Sequence, residues 1–548
     1  MKEEKNESRR NFIKNTALAA AALSVQGILP SAASAKTHSD SIQDLRGEFI
    51  PKQKAPGYTL DFNFENGNLG PHKITGDTIF VGPVSIHKDT WFSFKIKGVK
   101  HRKLTMVIEW LNNAKVSSNF AGQGNNTAMI TYDGKGFEIV KDVNFALKDA
   151  ENNAGNFIQT LTHTFREDEA HVTYCAPWSN ARMAALAQQL KNDRRVEIEN
   201  IGFSKFKNLP LTCFKITDKQ IPDTDKKKLF LIAREDSYEA GGSWAVEGIM
   251  NFILSDDPVA KEMLKKMVFV IFPIFSVDGV AMGATNFPLE PDNTKFVYVT
   301  GEWDKEPPYY EVKLMHDFWK KMKSEGFHPD IAFKFHSTCY WQCHFRPEDC
   351  SAENLEKEMQ LLGILMDKLS WRIKDPALKR PTTYMNYHFT KVFPDAISYS
   401  SHNDFIFTRK YLNAEKNVYR RHEDVIQDGE LIARSYAEFY GIPSKLVAPY
   451  LMAGDVNINN GKKGDPVTYS VYYYDLQQLP PSKIEVVING KAYKMTAESG
   501  ADYSKPVKFT FVTSLKDSRN DYTFKASNGK KSRRIPEGDY QLPGPFIV

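Results

Sequence analysis

The chain has 548 residues, of which 41% are hydrophobic and 25% are charged, and its formal net charge is +5. This length indicates about three domains at roughly 100–200 residues each, and the composition is typical of a globular protein. Because the net charge is small for this size and the chain has no long Lys/Arg tract, we expect no nucleic acid partner.

The first residues predict export. Residues 8–14 (SRRNFIK) resemble the twin-arginine consensus, and a weakly apolar stretch over residues 16–29 precedes an A-x-A cleavage sequence at residues 33–35. A chance arginine pair before a membrane helix is the alternative, but the apolar run is short and rich in alanine for a span. We therefore predict a signal peptide over residues 1–35, a periplasmic or secreted protein, and no membrane span in the mature chain.

A linker and a β domain are predicted next. Residues 36–56 are polar and contain two prolines, which is typical of a linker. Residues 57–210 contain short β-like runs separated by turn signals, among them WFSFKIKG, LTMVIEWL, AMITYDG and REDEAHVTYCAPW. Their alternation of apolar and polar residues predicts an N-terminal β-sandwich.

Residues 211–445 predict an α/β domain with a mainly parallel or mixed sheet. Apolar runs at residues 229–233, 268–275 and 331–335 alternate with stretches in which apolar residues recur at helical spacing, such as SWAVEGIMNFIL. Alternating strands and helices are typical of this fold class. Functional residues are then expected at the carboxyl ends of the strands.

Residues 446–548 return to β-like patterns. The stretch VVINGKAYKM places Asn489 and Gly490 between alternating residues, which is a strong signal for a type I′ hairpin. DPVTYSVYYYD is a further predicted strand. We predict a small C-terminal Ig-like β-sandwich.

The chain has five cysteines, an odd number that cannot form a complete set of internal disulfides: Cys175, Cys213, Cys339, Cys343 and Cys350. The last three lie close together in sequence and either share one bridge or remain buried thiols. A zinc cluster that includes His344 is disfavoured, because the spacing matches no standard zinc finger.

Four polar residues after β-like runs suggest a hydrolase site. Asp236 and Glu239 follow the run at residues 229–233, His336 ends a later run, and Glu415 lies beyond another. Zinc accepts Asp, Glu and His, and a catalytic zinc site needs three protein ligands plus an open position. A further Glu would serve as general base. The alternative for Asp236 and Glu239 is a capping turn, because acids favour a helix N-terminus.

Several stretches together resemble the M14 zinc carboxypeptidases, specifically the cytosolic-carboxypeptidase-like branch. They are AREDSYEAGGSWAVEG, FILSDDPVAKEM, VFVIFPIFSVDGV, FKFHS, YLNAEKN and EDVIQDGELIARSYAEFYG, and the β domain adds WFSFKIKG and REDEAHVTYCAPW. The resemblance implies a central α/β/α carboxypeptidase-like domain with a mixed sheet and one Zn²⁺ or other divalent metal. Carried over by position, it implies that Asp236, Glu239 and His336 hold the metal and that Glu415 is the catalytic base.

The chain departs from the family pattern at three places. Asp236 stands where the family has His, and two carboxylates with one imidazole suit a harder metal or a weaker zinc site. Lys334 stands where the family usually has an acid, two residues before His336. Residues 276–303 contain no Arg, so the family's bidentate clamp on a substrate carboxylate is missing from the place where it is expected.

Lys334 has two interpretations. Side chains at i and i+2 share one face of a strand, so Lys334 shares the face of His336. It would then repel a metal, or pair with Asp236 and take the place of the metal. In a metal-free reaction, Lys334 or a neighbouring His or Tyr would be the catalytic base. The alternative is a solvated residue at an edge of the sheet.

Aromatic, basic and imidazole side chains crowd the same part of the sequence. Some aromatics would form a stacking platform for a sugar ring, although core or rim positions are the alternative. An arginine there could replace the missing anion clamp. The predicted substrate-binding residues are Trp341, His344, Arg346, Tyr387 and His388.

These patterns together predict an exported, divergent M14-like metallohydrolase. It would cleave an amide or ester bond in a cell-wall or polysaccharide-derived substrate by metal-activated water, with a glycan or peptidoglycan-type substrate as its partner. Two alternatives stay open. One is a non-catalytic glycan- or peptide-binding pseudoenzyme, and the other is a metal-independent polysaccharide-active enzyme that uses the same pocket.

Overall fold

The computed structural model describes residues 57–70, 72–84, 91–110, 127–147, 157–284, 286–288, 296–297, 309–337, 343–344, 352–368, 385–402, 406–407, 418–444 and 447–548. The chain divides into two compact units. The first comprises residues up to Gln189 together with Asp278–Val297, and the second comprises Leu190–Val277 and the residues from Tyr298 onward. The predicted signal peptide and linker lie outside the described residues.

The strands are numbered in chain order. The first group is β1 (Thr59–Asp61), β2 (His72–Thr75), β3 (Thr78–Val84), β4 (Ser93–Lys97), β5 (Lys103–Trp110), β6 (Met129–Thr131), β7 (Glu138–Ile139), β8 (Asp142–Leu147), β9 (Phe157–Thr164), β10 (Glu169–Thr173), β11 (Val196–Phe203) and β12 (Pro210–Ile216). The second group is β13 (Lys227–Ala233), β14 (Met267–Phe272), β15 (Phe287–Pro288), β16 (Phe296–Val297), β17 (Ile331–His336), β18 (Cys343–His344), β19 (Ile397–His402), β20 (Ile406–Phe407) and β21 (Val418–Tyr419). The last group is β22 (Tyr450–Val456), β23 (Asn460–Gly461), β24 (Pro466–Tyr474), β25 (Lys483–Ile488), β26 (Lys491–Lys494), β27 (Thr496–Ala497), β28 (Val507–Ser514), β29 (Tyr522–Ser527), β30 (Ser532–Ile535) and β31 (Phe546–Ile547).

The helices are numbered in the same way. They are α1 (Asn180–Leu190), α2 (Ala240–Ile253), α3 (Pro258–Lys266), α4 (Val277–Ala281), α5 (Tyr310–Ser324), α6 (Ala352–Lys368), α7 (Met385–Val392) and α8 (His422–Phe439). Among the described residues, no helix combines the length and the apolar character needed to cross a bilayer.

The first unit contains two five-stranded sheets, in the orders β1-β4-β10-β6-β7 and β2-β3-β5-β9-β8. In β4, Phe94 and Ile96 are buried while Lys95 and Lys97 are exposed, because successive side chains of a strand point to opposite faces. Apolar residues of both sheets, such as Ile96 of β4 and Ile79 of β3, belong to one hydrophobic core. The region is rich in strands, and its assignment as a β-sandwich stays a prediction.

The second unit contains a seven-stranded mixed sheet in the order β11-β12-β14-β13-β17-β19-β18. Strands β14, β13, β17 and β19 run parallel, whereas β11, β12 and β18 are antiparallel to their neighbours. The predicted α/β domain with a mixed sheet is therefore confirmed. Its sheet begins before the predicted boundary at residue 210, because the β11–β12 hairpin pairs with β14 and not with the N-terminal strands.

Helices α2 and α8 cross at positions where no side chain would fit. A Cβ atom at Gly248 would lie 2.1 Å from the carbonyl oxygen of Ile426, and one at Gly429 would lie 2.0 Å from that of Ala245. Every residue of α2 except Asn251 is buried. This close crossing holds α2 in the interior of the domain.

The C-terminal strands form two four-stranded sheets, β22-β24-β28-β27 and β26-β25-β29-β30, whose apolar residues share one core. The predicted hairpin is confirmed, because Ile488 of β25 pairs with Lys491 of β26. The loop residues Asn489 and Gly490 have φ angles of 47° and 80°, and a type I′ turn requires positive φ at both. The Ig-like assignment of this region stays a prediction.

The cysteine prediction is tested only in part. Cys175 and Cys213 are buried thiols. The side chains of Cys339, Cys343 and Cys350 lie outside the described residues.

Candidate metal centre

The loop after β13 is shaped by one residue in the left-handed region of the backbone. Arg234 has a φ of 60°, and its buried guanidinium donates to the carbonyl oxygen of Ser237. The loop is also attached to the segment after β14, because the backbone N–H of Ser276 donates to Arg234 O at 2.9 Å. The hydroxyls of Ser237 and Ser276 lie 2.9 Å apart. These contacts fix the path of the chain on both sides of Asp236.

The structure brings Asp236, Glu239 and His336 together. One ligand atom of each lies within 4.8 Å of the others, and all three residues are buried. His336 Nδ1 lies 2.6 Å from Glu239 Oε2 and 3.6 Å from Asp236 Oδ2. The cluster forms at the carboxyl ends of β13 and β17, which are parallel neighbours, as expected for functional residues of an α/β sheet.

The side chain of Glu239 faces His336 and does not cap its own helix. Glu239 is the N-cap residue of α2, yet its carboxylate makes no capping hydrogen bond. Its Oε2 lies instead 2.6 Å from Nδ1 of His336. The capping turn that the sequence allowed is therefore wrong for this residue. Gly242 permits the close approach, because a Cβ there would lie 2.5 Å from the carbonyl oxygen of Phe335.

Burial dominates the electrostatics of the two carboxylates. It raises the pKa of Asp236 to about 7, with the charge of Glu235 adding to the rise and that of Lys334 opposing it. Burial also raises the pKa of Glu239 well above its usual range, and the nearby charge of Asp236 acts in the same direction. A cation between these two carboxylates would stabilise their ionised forms, which burial and mutual repulsion disfavour.

Lys334 is buried and pairs with Glu235. Its side chain is 1% exposed, so the solvated edge position is wrong, because β17 lies between β13 and β19 inside the sheet. The ammonium group contacts the carboxylate of Glu235. The partner that we find is thus Glu235 rather than Asp236, which leaves the Asp236 carboxylate available at the cluster.

The donor set fits a divalent metal. Oδ1 of Asp236 is buried and has no hydrogen-bond partner among the described residues, and such an atom is costly unless a cation or a water binds it. Two ligands at about 2.0–2.2 Å from a tetrahedral ion lie roughly 3.4 Å apart, close to the 3.6 Å between Asp236 Oδ2 and His336 Nδ1. The shorter contact between Glu239 and His336 is a direct hydrogen bond that a shared ion would replace.

The remaining predicted site residues are only partly covered. Glu415, Trp341 and Arg346 lie outside the described residues, as do the side chains of His344 in β18 and Tyr387 in α7. Their predicted roles stay predictions.

His388 is described and buried. Its ring centroid lies 6.4 Å from that of His316 in α5, so the contact that we find for it is within the helical layer of α5 and α7. A role for His388 in substrate binding also stays a prediction.

Sequence reasoning missed Glu235, Arg234 and Ser276. The signal for Glu235 was present, because an acid directly before Asp236 and a lysine two residues before His336 carry opposite charges. Pairing them needs the register of β13 against β17, in which Ala233 lies opposite Phe335. No pattern in the sequence supplies that register.

The fold and this cluster define the class of the domain. Residues 181–359 match the family model for zinc carboxypeptidases. This part of the chain is therefore similar to the M14 zinc carboxypeptidases.

Curated relatives agree with this family. Cytosolic carboxypeptidase 6 of Mus musculus is 25% identical over 235 residues, which are 41% of this chain and 43% of that protein. Cytosolic carboxypeptidase 2 of Xenopus tropicalis is 23% identical over 254 residues, which are 41% of this chain and 25% of that protein. The match thus spans less than half the length of each of these relatives.

Solved structures show the same fold. The metallo-carboxypeptidase from Burkholderia cenocepacia has a TM-score of 0.58 and 18% identity, and the match covers 70% of this chain and 99% of that one. The metallo-carboxypeptidase from Pseudomonas aeruginosa in complex with (2-guanidinoethylmercapto)succinic acid has a TM-score of 0.55 and 16% identity, with 70% and 99% coverage.

Proposed function

We propose that the protein is an exported, divergent M14-like metallohydrolase. Its substrate would be an amide or ester in a cell-wall or polysaccharide-derived molecule. The observation that carries the hydrolase proposal is the buried cluster of Asp236, Glu239 and His336, whose ligand atoms lie within 4.8 Å of one another at the ends of two parallel strands. Export rests on the twin-arginine sequence at residues 8–14.

In this proposal Asp236, Glu239 and His336 hold one divalent metal. The bound metal would supply a Lewis acid and an activated water. Without the metal, Glu239 Oε2 and His336 Nδ1 lie 2.6 Å apart in a direct hydrogen bond, which the shared ion would replace. Glu415 would take a proton from the attacking water and return it to the leaving group.

The proposed substrate class follows from what residues 276–303 lack. They contain no Arg, and a guanidinium is the side chain best suited to bind a carboxylate through two parallel hydrogen bonds. A substrate without a free α-carboxylate next to the cleaved bond fits this better than an ordinary peptide C-terminus. The candidate aromatic residues Trp341 and Tyr387 would offer stacking surfaces to a sugar ring.

We also propose that the two strand-rich regions are domains of known type. The paired five-stranded sheets with one core support an N-terminal β-sandwich. The paired four-stranded sheets with one core and the Asn489-Gly490 hairpin support an Ig-like domain.

Metal binding and hydrolysis test the proposal. The full chain is freed of metal, loaded with Zn²⁺ or Mn²⁺, and analysed for bound metal and for hydrolysis of peptidoglycan fragments, acylated polysaccharides and simple peptides. We expect about one ion per chain and metal-dependent release of product from one of the first two substrates. Asp236→Asn should abolish both.

The matched control is Glu138→Gln in the first unit. Glu138 is also buried and lies 3.1 Å from a histidine, His163, so the substitution perturbs a similar pair without touching the cluster. Its metal content should stay at the wild-type level. If the wild type retains no ion under loading, the metallohydrolase hypothesis is wrong.

One observation favours a second candidate function. Glu239 and His336 share a direct hydrogen bond, and a proton can transfer between two groups in such contact. It would support metal-independent chemistry on a polysaccharide. Turnover that is unchanged in EDTA and lost in His336→Gln would select this candidate.

A further inference from the structure

Lys334 and Glu235 form a fully buried ion pair. Each side chain is 1% exposed, and the Glu235 carboxylate contacts Nζ of Lys334. Lys334 lies in β17 with a parallel strand on either side, and Glu235 lies just beyond the end of β13. A buried ammonium group is unfavourable without an opposite charge, and the contact with the Glu235 carboxylate stabilises the charge of Lys334.

The pair borders the candidate ligands on both strands. Glu235 directly precedes Asp236, and Lys334 lies two residues before His336 on the same face of β17. Charges that lie close together in a buried environment act on each other strongly, because little water screens them. The lysine by itself would repel a divalent cation at the cluster.

We propose that Glu235 is a charge-compensating residue of the metal site, an inference that rests on the proposed function. Its carboxylate neutralises Lys334, so the charge that a divalent cation meets is that of Asp236 and Glu239. With Glu235 present, the site can bind the metal although Lys334 lies two residues before the ligand His336. It is a positioning residue and touches neither substrate nor metal.

A cycle of four proteins tests this assignment: wild type, Glu235→Gln, Lys334→Met and the double variant. Affinities of the metal-free full chains for Mn²⁺ and Zn²⁺ are measured by isothermal titration calorimetry, and circular dichroism reports folding. Glu235→Gln removes the carboxylate that contacts the ammonium group and should lower affinity about 10- to 100-fold. Lys334→Met removes a positive charge beside the cluster and should raise affinity, and the double variant should lie within about threefold of wild type.

Two controls separate charge from structure. Glu235→Asp keeps the charge and should retain most of the affinity. Lys226→Met removes another buried lysine, which lies 3.1 Å from Asp223, and should leave metal affinity unchanged. If Glu235→Gln does not fold, Lys334→Met must bind metal more tightly than the double variant, because these two differ only in the charge of Glu235.

A purely structural ion pair predicts a different pattern. Both single substitutions would then lower affinity alike, because each distorts the strand ends. That pattern, or an unchanged affinity in Glu235→Gln, would overturn the inference while leaving the metal site intact. A wild type that binds no metal would instead overturn the proposed function, and this inference with it.

Discussion

Oε2 of Glu239 lies 2.6 Å from Nδ1 of His336, although 97 residues separate the two positions in the chain. The contact joins the first residue before α2 to the last residue of β17. It shows that the loop after β13 is built around an interaction between strands.

The metal-free protein should lose stability as pH rises through 7. The pKa of Asp236 is raised to about 7 from 3.8, mainly by burial, so the folded state holds this proton more tightly than the unfolded state. The resulting stabilisation is complete below the unfolded pKa and is lost as pH rises through the folded one. Between pH 6 and 8 the loss is about 1 kcal/mol.

Urea unfolding in EDTA at pH 6 and pH 8 measures this change. Asp236→Asn cannot titrate and should remove that part of the pH dependence. A variant with the wild-type slope would show that Asp236 does not titrate in this range.

Glu415→Gln should lower turnover by about 10²–10⁴-fold, which is the usual effect of removing a general base. The amide keeps the size of the carboxylate but cannot accept a proton, so metal content and folding should stay at wild-type values. Glu356→Gln in the exposed part of α6 is the control and should leave turnover unchanged. Full activity in Glu415→Gln would place the base at another residue.

Simple peptides should be poor substrates. Residues 276–303 offer no guanidinium to a C-terminal carboxylate, and a missing bidentate partner removes a strong source of binding energy. Mass spectrometry of a peptide panel incubated with metal-loaded protein checks this. Efficient release of C-terminal amino acids would restore ordinary carboxypeptidase activity to the protein.

Gly429→Ala should destabilise the second unit by about 1–3 kcal/mol, because overpacking forces two backbones apart. The added Cβ would lie 2.0 Å from the carbonyl oxygen of Ala245 in α2. Gly363→Ala is the matched control in α6, where a Cβ would meet nothing within 4 Å. That substitution should stabilise by about 0.5–1 kcal/mol through helix propensity, as thermal unfolding of both variants will show.

Arg533→Met should cost about 3 kcal/mol, the lower end for breaking a buried ion pair. Arg533 connects the C-terminal strands to α8, because its guanidinium donates to Glu430 at 2.8 Å and to Glu537 at 3.0 Å and is 3% exposed. The control is Arg519→Met, whose exposed contact with Asp521 measures 3.5 Å. It should change stability by less than about 0.5 kcal/mol. Equal effects in denaturant unfolding would contradict the prediction.

Local patterns were sufficient for most elements near the site. The apolar run at residues 229–233 is part of β13, and the helical spacing in SWAVEGIMNFIL is part of α2. Side chains alternate between the two faces of a strand and return to the same face of a helix about every turn. These periods are set by the local backbone, so a short stretch of sequence is enough to show them. The Asn489-Gly490 turn was predictable for the same reason, because only a few residue types adopt positive φ at both positions.

Local sequence patterns did not predict which strands pair with each other. The sequence pattern of the β11–β12 hairpin is similar to that of the strands before it. Only the pairing of β12 with β14 assigns the hairpin to the mixed sheet. The sequence also allowed Lys334 to lie on an edge strand. In the structure β19 pairs with β17, so Lys334 lies inside the sheet. Both outcomes depend on strand order, which is set by packing between distant segments.

The sequence by itself determined the candidate ligands. Asp236 and Glu239 stand three apart after a strand and His336 ends another, and the resemblance to the M14 family related them to one metal. Only the tertiary structure decided the partners of the charges around them. Arg234 turns the chain through the left-handed region, and the β13–β17 register then sets Glu235 against Lys334 and Glu239 against His336. Register and backbone turns are fixed by the whole sheet, so no single stretch of sequence records them.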